Sequence, residues 1–288
     1  MFSLKFANAQ GNLIDLTGNE NFDVTNITGL NPPPATINTS TSPNFDGSIY
    51  NSATVEQRNI VLYLALSRNV EQTRLNLYKF FRSKQKGTLY YKSNYRDVWI
   101  DGYINNIEVN NFENPVTMQI SMICPQPYFI DIEEVITEIA EIINKLEFAL
   151  DLPEEGIEFG QISPNIEVNV INNGEIETGT TFELRATGEV VNPKIHNKDT
   201  NEFFGLDYSM QLGDLITITT FKGNKTVTLN RQGNISNLFN YISENSTWLT
   251  LKSGNNVFLY TTYENEDGEN TNDNLYIRVL HADQYEGV

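Results

Sequence analysis

The chain has 288 residues, of which 39% are hydrophobic, and its formal net charge at neutral pH is −18. This length suggests about two domains, and the hydrophobic content excludes a chain that is disordered throughout. Residues 1–130 hold 10 basic and 10 acidic residues whereas residues 131–288 hold 9 and 27, and this excess of negative charge argues against nucleic acid or an anionic membrane as a partner of the second half.

The first segment in chain order is a predicted strand. Phe2, Leu4 and Phe6 alternate with polar residues, which is typical of a strand with one buried face. No segment has the apolar run of a signal peptide or a transmembrane helix, and we therefore expect folding in a reducing cytoplasm. The single cysteine, Cys124, excludes an intramolecular disulfide.

A long segment rich in proline and small polar residues follows, GLNPPPATINTSTSPNFDGSIYN from Gly29 to Asn51. We expect no regular structure in it, because the prolines and the small polar residues favour turns and irregular backbone. Loops of this length are usually functional or disordered. Pro32, Pro33 and Pro34 favour a stiff, extended arm suited to reaching a neighbouring subunit.

One helix is predicted in the first half. It follows RNIVLYLAL, Arg58–Leu66, which is apolar on both faces and is typical of a strand buried between two layers. Asn69 is the predicted N-cap, with Gln72 in the reciprocal position of a capping box. Gly87 favours the end of the helix.

Seven basic residues and no acidic residue lie between Gln72 and Arg96, with Arg82 and Lys84 among them. A nucleic-acid surface is one interpretation. A solvated helix face, or a surface complementary to an acidic neighbour, explains the pattern better, because this half of the chain is neutral as a whole.

The chain is predicted to leave the first domain where the strand Thr117–Ile123 runs into Pro125 and Pro127, because proline lacks the N–H that a sheet requires. Next, Glu133–Leu150 places apolar residues at helical spacing opposite glutamates, which predicts an amphipathic connector helix. Short alternating segments separated by turn residues complete the chain and indicate a β-sandwich or jelly roll. The predicted divisions are a first domain over residues 1–130, a helical connector over 131–158 and a second domain over 159–288.

No arrangement of residues indicates catalysis, a cofactor or a metal ion. His196 and His281 are the only histidines, neither has a zinc-binding spacing, and one cysteine cannot build a Cys-rich site. A GxSxG elbow and a phosphate-binding glycine loop are missing. The loop Tyr263–Asn274 lacks the Asp and Glu that an EF-hand requires at its first and twelfth positions. We therefore predict a protein that is not an enzyme and has no catalytic, cofactor-binding or metal-binding residues.

Several segments together resemble a known family. FDGSIYNSATVEQRNIVLYLAL, LNLYKFFRSKQKGTLYY, WIDGYINNIEV and ICPQPYF, in this order, resemble the distal tail proteins of long-tailed bacteriophages that infect Gram-positive bacteria. In the second half, VNVINNGEIETGTTFELRATGEVVNPKIHNKDTNEFF, LGDLITITT, STWLTLKSGNNVF and YEGV are similar to the galectin-like sandwich of that family. The implied fold is mainly β, with two β-sandwich domains. The first contains one α-helix, and the second is a galectin-like jelly roll.

The resemblance implies a structural role in the virion. Such proteins form a hexameric ring at the tail tip, between the tail tube protein and the tail-tip or tail-associated protein, and their C-terminal domains project outward to carry or contact the receptor-binding protein. Assembly in the bacterial cytoplasm is implied, with neither specific nucleic acid binding nor membrane insertion. The candidate interface residues of this chain are Pro32, Pro33, Pro34, Phe45, Arg82 and Lys84.

The alternative hypothesis is a carbohydrate-binding module that recognises host cell-wall glycans. Galectins bind sugars through an H-x-N-x-R strand and a W-G-x-E-x-R segment, and His196 and Trp248 are the corresponding candidate contacts here. Both sites lack the surrounding polar ligands, so Trp248 is predicted to be a core or edge residue of the sandwich. A wall hydrolase has no supporting set of residues.

Overall fold

The computed structural model of the chain describes residues 2–42, 46–138, 140–143, 161–164, 167–263 and 272–288. Two compact units are present. Unit 1 comprises Met1–Glu133 and Gln284–Val288, and unit 2 comprises Glu134–Asp283. Both are built mainly from β-strands, which confirms the predicted fold class at this level.

The elements follow each other along the chain in three groups. The first group is β1 (Ser3–Asn8), β2 (Leu13–Asp15), β3 (Phe22–Thr28), β4 (Ala35–Ser40), β5 (Ile49–Val55), β6 (Arg58–Leu66), α1 (Val70–Phe80), β7 (Lys86–Lys92), β8 (Asp97–Asn110), β9 (Val116–Cys124) and β10 (Phe129–Asp131). The second group is β11 (Val135–Glu138), β12 (Ala140–Ile143), β13 (Gln161–Pro164), β14 (Glu167–Asn172), β15 (Thr181–Ala186), β16 (Val190–Asn197), β17 (Glu202–Gly205), β18 (Ser209–Met210), β19 (Leu215–Thr219), β20 (Thr226–Arg231), β21 (Asn234–Asn237), a 3-10 turn (Phe239–Tyr241), β22 (Gly254–Tyr263), a second 3-10 turn (Asn272–Asn274) and β23 (Leu275–His281). The third is β24 (Gln284–Tyr285).

Unit 1 is organised around one antiparallel sheet of nine strands. Its order is β2-β1-β7-β8-β9-β6-β3, and β10 pairs with β8 and with β24. Phe6 of β1 and Phe22 of β3 come from strands near opposite ends of this order, and both belong to one buried cluster, so strands across the whole sheet contribute to one core. Leu77 of α1 belongs to the same cluster. Each such side chain contributes about 1.5–3 kcal/mol by leaving water.

The helix α1 begins directly after Asn69, as predicted, but it lacks the predicted capping hydrogen bond and it ends before Gly87. Asn69 has a left-handed backbone (φ 46°), and its side chain makes no capping hydrogen bond. The helix ends at Phe80, and Gly87 lies in β7 instead of at the helix terminus. Packing explains the early end, because Phe81 turns into the core, where its ring centroid lies 4.7 Å from that of Phe6.

The prediction of an irregular segment from Gly29 to Asn51 is wrong over β4 and β5. These strands pair antiparallel in a two-stranded sheet of their own. Pro32–Pro34 precede β4 and therefore do not interrupt it. The two strands are rich in Thr, Ile, Val and Tyr, which favour extended pairing once a partner strand is present.

The chain leaves unit 1 later than predicted. Pro125 and Pro127 do end β9, but they lie in a short connection, and the chain re-enters the same sheet as β10. The terminal residues Gln284–Val288, which fall in the predicted second domain, lie in unit 1, where β24 pairs with β10. Sequence periodicity cannot show this return, since the two strands lie more than 150 residues apart.

The predicted connector helix is wrong over the described part of that segment. Val135–Glu138 forms β11, which pairs with β23 at the edge of a sheet, and Ala140–Ile143 forms β12, which pairs with β13. Val135, Ile136 and Thr137 are β-branched, and pairing to a neighbouring strand overrides a helical pattern of apolar residues. Residue 139 and residues 144–158 of the predicted connector lie outside the described residues.

Unit 2 is a sandwich of two larger sheets. One has the order β11-β23-β15-β19-β20-β21, and the other has the order β14-β22-β16-β17 with β18 beside β16. Residues of both sheets share one buried cluster. Phe182 of β15 and Phe258 of β22 meet edge to face with ring centroids 5.6 Å apart, so the sheets pack face to face.

A glycine substitution tests the close approach between the end of β3 and the start of β6. Gly29 has φ +85°, and a Cβ atom added there would lie 2.2 Å from the backbone oxygen of Asn59. Gly18 has a similar φ of +75° but open space around it. We expect Gly18→Ala to cost about 1–2 kcal/mol through backbone strain, and Gly29→Ala to cost about 1–3 kcal/mol more through the clash.

The measurement is the urea unfolding of unit 1, monitored through the fluorescence of Trp99 in a Trp248→Phe background. Equal losses in free energy of unfolding for the two alanine variants would contradict the close approach.

Acid sensitivity of unit 2 is expected from His281 at the end of β23. This side chain is 1% exposed, and its Nε2 lies 3.4 Å from Oδ1 of Asp283. Burial lowers the pKa of His281 below the ordinary 6.5, although the charge of Asp283 opposes the shift. The folded state therefore prefers the neutral ring, and its contribution to stability is present above pH 6.5 and is lost as the pH falls toward the lower folded pKa.

We expect the melting temperature of unit 2 to fall between about pH 7 and pH 5, with a smaller fall in His281→Gln. Burial also lowers the pKa of His196, so His196→Gln is the matched comparison. It should reduce the fall in melting temperature by less than His281→Gln does. Parallel profiles of melting temperature against pH for the wild type and His281→Gln would exclude this account.

Candidate assembly surface

Arg58, the first residue of β6, organises one end of unit 1. Its side chain is buried, and its guanidinium donates hydrogen bonds to four backbone carbonyl oxygens. Nη1 bonds Gly29 at 2.5 Å and Asn31 at 2.8 Å, Nε bonds Pro127 at 2.6 Å, and Nη2 bonds Glu286. One cation therefore joins the segment that leads into β4, the connection between β9 and β10, and the C-terminal tail.

The environment of Arg58 is suited to a buried cation. Burial lowers the pKa of Arg58, and the nearby Cys124 and Glu286 act in the opposite direction. An arginine side chain stays charged at neutral pH, and hydrogen bonds to a charged group are worth about 1.5–3 kcal/mol each. The guanidinium carbon also lies 4.7 Å from the ring centroid of Phe129, which adds a cation–π contact.

The C-terminal tail holds the segment before β4 in place. The N–H of Val288 donates to the carbonyl oxygen of Leu30 at 3.1 Å. Gly287 packs so closely against Pro32 that an added Cβ atom would lie 2.8 Å from the Cδ of the proline. Pro33 is half-buried, whereas Pro32 and Pro34 are exposed. The base of the β4–β5 hairpin is thus fixed on the body of unit 1.

The hairpin itself has one apolar face and one polar face. The register places a set of mostly apolar residues on one face, namely Ala35, Ile37, Thr39, Tyr50, Ala53 and Val55. Within this apolar face, Ile37 is 55% exposed and Tyr50 is 63% exposed. The polar face carries side-chain hydrogen bonds, such as Asn38 Nδ2 to Ser52 Oγ at 3.1 Å, and Ile49 lies at its far end.

This apolar face has no cover within the part of the chain that the structure describes, because every residue of β4 and all but Val55 of β5 are exposed. A two-stranded hairpin in water is only marginally stable without packing on one face. The hairpin therefore presents an uncovered apolar face among the described residues.

The predicted interface residues fall in two different places. Pro32, Pro33 and Pro34 form the base of the hairpin, whereas Phe45 lies outside the described residues. Arg82 and Lys84 lie in the connection between α1 and β7. There Arg82 Nε donates to the carbonyl oxygen of Lys79 at 3.1 Å, and the N–H of Lys84 donates to the carbonyl oxygen of Ile104 at 2.8 Å. No described contact joins the proline group to the basic group.

The two candidate glycan residues lie on opposite faces of one sheet. His196 lies beside Phe203, with ring centroids 5.8 Å apart, and its Nε2 is 3.1 Å from Thr261 Oγ1. Trp248 packs against Phe204, with ring centroids 4.9 Å apart. Phe203 and Phe204 are neighbours in β17 and therefore point to opposite faces. One sugar cannot contact both His196 and Trp248 in this arrangement.

Sequence reasoning missed the central residue of the site. Arg58 appeared only as the first letter of an apolar strand, and its carbonyl partners carry no side-chain signal. The hairpin had a weak signal, because Ile37 and Thr39 alternate with polar residues. The alternation was hidden by the prolines on one side and the small polar residues on the other.

The described residues show neither a metal-binding cluster of His, Cys, Asp and Glu nor a helix able to span a bilayer. Burial raises the pKa of the Cys124 thiol to about 12, so this side chain is a packing residue.

Part of the run of basic residues between Gln72 and Arg96 is paired with acidic side chains, since Lys86 bonds Asp101 at 2.6 Å and Arg74 bonds Glu71 at 2.7 Å.

Two sequence families match the chain. The profile described as "Phage tail protein RIFT-related domain" matches residues 11–124, and the profile described as "Siphovirus-type tail component, C-terminal domain" matches residues 173–272. No curated protein sequence matches the chain.

Solved structures of phage proteins share the fold. The Dit protein (gp 19.1) of phage SPP1, described as a paradigm of the hub adsorption apparatus in phages that infect Gram-positive bacteria, is 12% identical with a TM-score of 0.71, and the match covers 99% of both chains. A chain of the phage P2 baseplate in its activated conformation with Ca is 11% identical with a TM-score of 0.57, covering 100% of both chains. The corresponding baseplate with Sr gives 12% and 0.57, again over 100% of both chains.

The fold and the two profiles define a structural component of a phage tail. The profiles together span most of the chain and the fold likeness spans nearly all of it. The chain therefore carries the two domains of a siphovirus tail protein, in agreement with the family that its sequence resembles, and it shares the fold of the SPP1 Dit protein.

Replacement of Arg58 tests its role as the anchor of the hairpin base. Arg58→Met removes the cation and leaves several buried carbonyl oxygens without a donor, each costing about 1–3 kcal/mol. We expect unit 1 to lose about 3 kcal/mol or more of unfolding free energy, with faster hydrogen exchange in β4 and β5. Arg68→Met is the control, because Arg68 is exposed, and it should cost less than about 0.5 kcal/mol. A loss in Arg58→Met no larger than in the control would refute the anchor.

Proposed function

We propose that this protein forms a hexameric ring at the distal end of the phage tail and acts as the hub that links the tail tube to the tail tip. The observation that carries the proposal is the β4–β5 hairpin, which is anchored at its base and exposes an apolar face. In a closed ring each copy contacts the next through two different surfaces. An arm that projects from one copy onto its neighbour supplies one half of such an interface.

The charge distribution supports the same arrangement. Residues 1–130, which make up most of unit 1, hold 10 basic and 10 acidic residues, so copies of this part can approach each other without strong repulsion. Unit 1 exposes further apolar side chains that a neighbour could cover, with Phe2 at 45%, Leu13 at 55% and Ile132 at 49% exposure. Residues 131–288 carry the excess of negative charge, which suits a part that stays outside the ring.

The partners follow from this position in the tail. One face of the ring contacts the tail tube protein, the other contacts the tail-tip or tail-associated protein, and unit 2 carries or contacts the receptor-binding protein. Assembly takes place in the bacterial cytoplasm. The SPP1 protein is described as a paradigm of a hub adsorption apparatus and the P2 structure as a baseplate, and both descriptions support this assignment. The role is mechanical, and we propose no catalytic function.

A charge placed on the apolar face of the hairpin tests the ring. We expect Ile37→Asp to shift the purified protein from the ring to monomers, because an ionised carboxylate cannot be buried against an apolar neighbour without a partner. Asn38→Asp introduces the same charge on the neighbouring residue of the polar face and should leave assembly unchanged. Size-exclusion chromatography with light scattering measures the mass of each species, and negative-stain electron microscopy counts the subunits.

A wild-type protein that stays monomeric at high concentration and in the presence of its tail partners would overturn the proposed ring. A wild-type ring that survives Ile37→Asp would instead overturn the role of the hairpin.

A further inference from the structure

A groove of about 800 Å³ lies on the outward face of the six-stranded sheet of unit 2. Its floor is formed by outward-pointing side chains of four adjacent strands, β23, β15, β19 and β20. The turns before β19 and after β20 border it through Gly213 and Gly233.

The register of the strands aligns four of these side chains in one row. Arg185 lies opposite Tyr276 on one side and opposite Leu215 on the other, and Leu215 lies opposite Asn230. Neighbouring strands are about 4.8 Å apart. The row therefore presents one side chain for roughly each ring of an extended oligosaccharide laid across the strands, with hydrogen-bonding groups on both sides of an apolar residue.

The groove contains two arginines in different electrostatic states. Arg278 lies 3.2 Å from Glu138 and 3.8 Å from Glu183, so its charge is compensated. Arg185 is exposed and forms no ion pair with any side chain that the structure describes. It is thus an open cation at the centre of the floor, in the half of the chain that holds 27 acidic and only 9 basic residues.

We propose that this groove binds an acidic oligosaccharide, with the guanidinium of Arg185 contacting a carboxylate of the sugar. A planar guanidinium can donate two parallel hydrogen bonds to a carboxylate. Tyr276 offers the apolar face of its ring beside that contact, and Asn230 offers both a donor and an acceptor for hydroxyl groups. The site lies elsewhere in unit 2 than the His196 and Trp248 positions, and the inference does not depend on the ring.

The strand pairing favours a sugar over an extended peptide. Peptides that bind to sheets usually add a strand at an exposed edge, where backbone groups are unpaired. β15 and β19 are paired on both sides beneath the groove, so their backbone groups are already satisfied. The ligand must therefore be recognised by side chains alone.

The test measures binding of trigalacturonic acid to the full-length protein by saturation-transfer difference NMR and titration. Its trimethyl ester has the same rings without the negative charges, and triglutamate has carboxylates without the rings. Arg185→Gln removes the cation and should lower the affinity for the acid about tenfold, the effect expected for one lost charged hydrogen-bonding contact. Lys222→Gln removes the same charge from the exposed turn between β19 and β20, at the other end of these strands, and should change the affinity less than about twofold.

The proposal is supported if the wild type binds the ester about tenfold more weakly than the acid, and if Arg185→Gln binds the acid about tenfold more weakly than the wild type does. The proposal is overturned if no saturation transfer to the acid is seen at about 10 mM, a concentration at which binding would reflect negligible affinity. It is also overturned if the ester or triglutamate binds as tightly as the acid, or if Arg185→Gln and Lys222→Gln lose the same amount of affinity for the acid. Arg185 is exposed, so both variants should keep the wild-type melting temperature, and the oligomeric state has no bearing on the outcome.

Discussion

The buried guanidinium of Arg58 is the interaction on which unit 1 depends. Three segments that are far apart in the sequence point backbone carbonyl groups at the same place, and the Arg58 side chain donates a hydrogen bond to each of these carbonyl groups. A buried charge is costly unless its hydrogen bonds are satisfied, so the three segments and the cation stabilise each other. Loss of the cation would leave the carbonyl groups of all three segments without this donor, and loss of one segment would leave an N–H of the guanidinium without its acceptor.

This anchor holds the base of an exposed hairpin in place. The β4–β5 hairpin has little packing of its own, but its base is held by Arg58 and by the tail residues Gly287 and Val288. A rigid base reduces the conformational entropy that an arm loses on docking. The body of unit 1 thus restrains the base of the hairpin, which lowers the entropic cost of the docking proposed above, while unit 2 exposes Arg185 on a different surface.

Local sequence patterns predicted an element correctly where the burial of one of its faces is enough to decide whether it is a strand or a helix. The alternation in β9 and the apolar run in β6 are visible in the letters, because inward-facing residues of a strand must be apolar whatever the partner strand is. The helix α1 and its start after Asn69 were also predictable, although its C-terminal end was set by the packing of Phe81 on Phe6 instead of by Gly87. The connector failed because Val135, Ile136 and the glutamates fit a helix as well as a strand, and β23 decided between them.

The sequence by itself determined the mainly β character, the neutral and acidic halves, the position of α1 and the resemblance to distal tail proteins, because each of these depends on residue types and their order. The tertiary structure alone decided the pairing of β4 with β5, the return of the tail to β10, the anchor at Arg58 and the row of side chains around Arg185. These features depend on contacts between segments distant in sequence, and many of the groups involved are backbone carbonyls, which every residue carries and which no sequence pattern can distinguish.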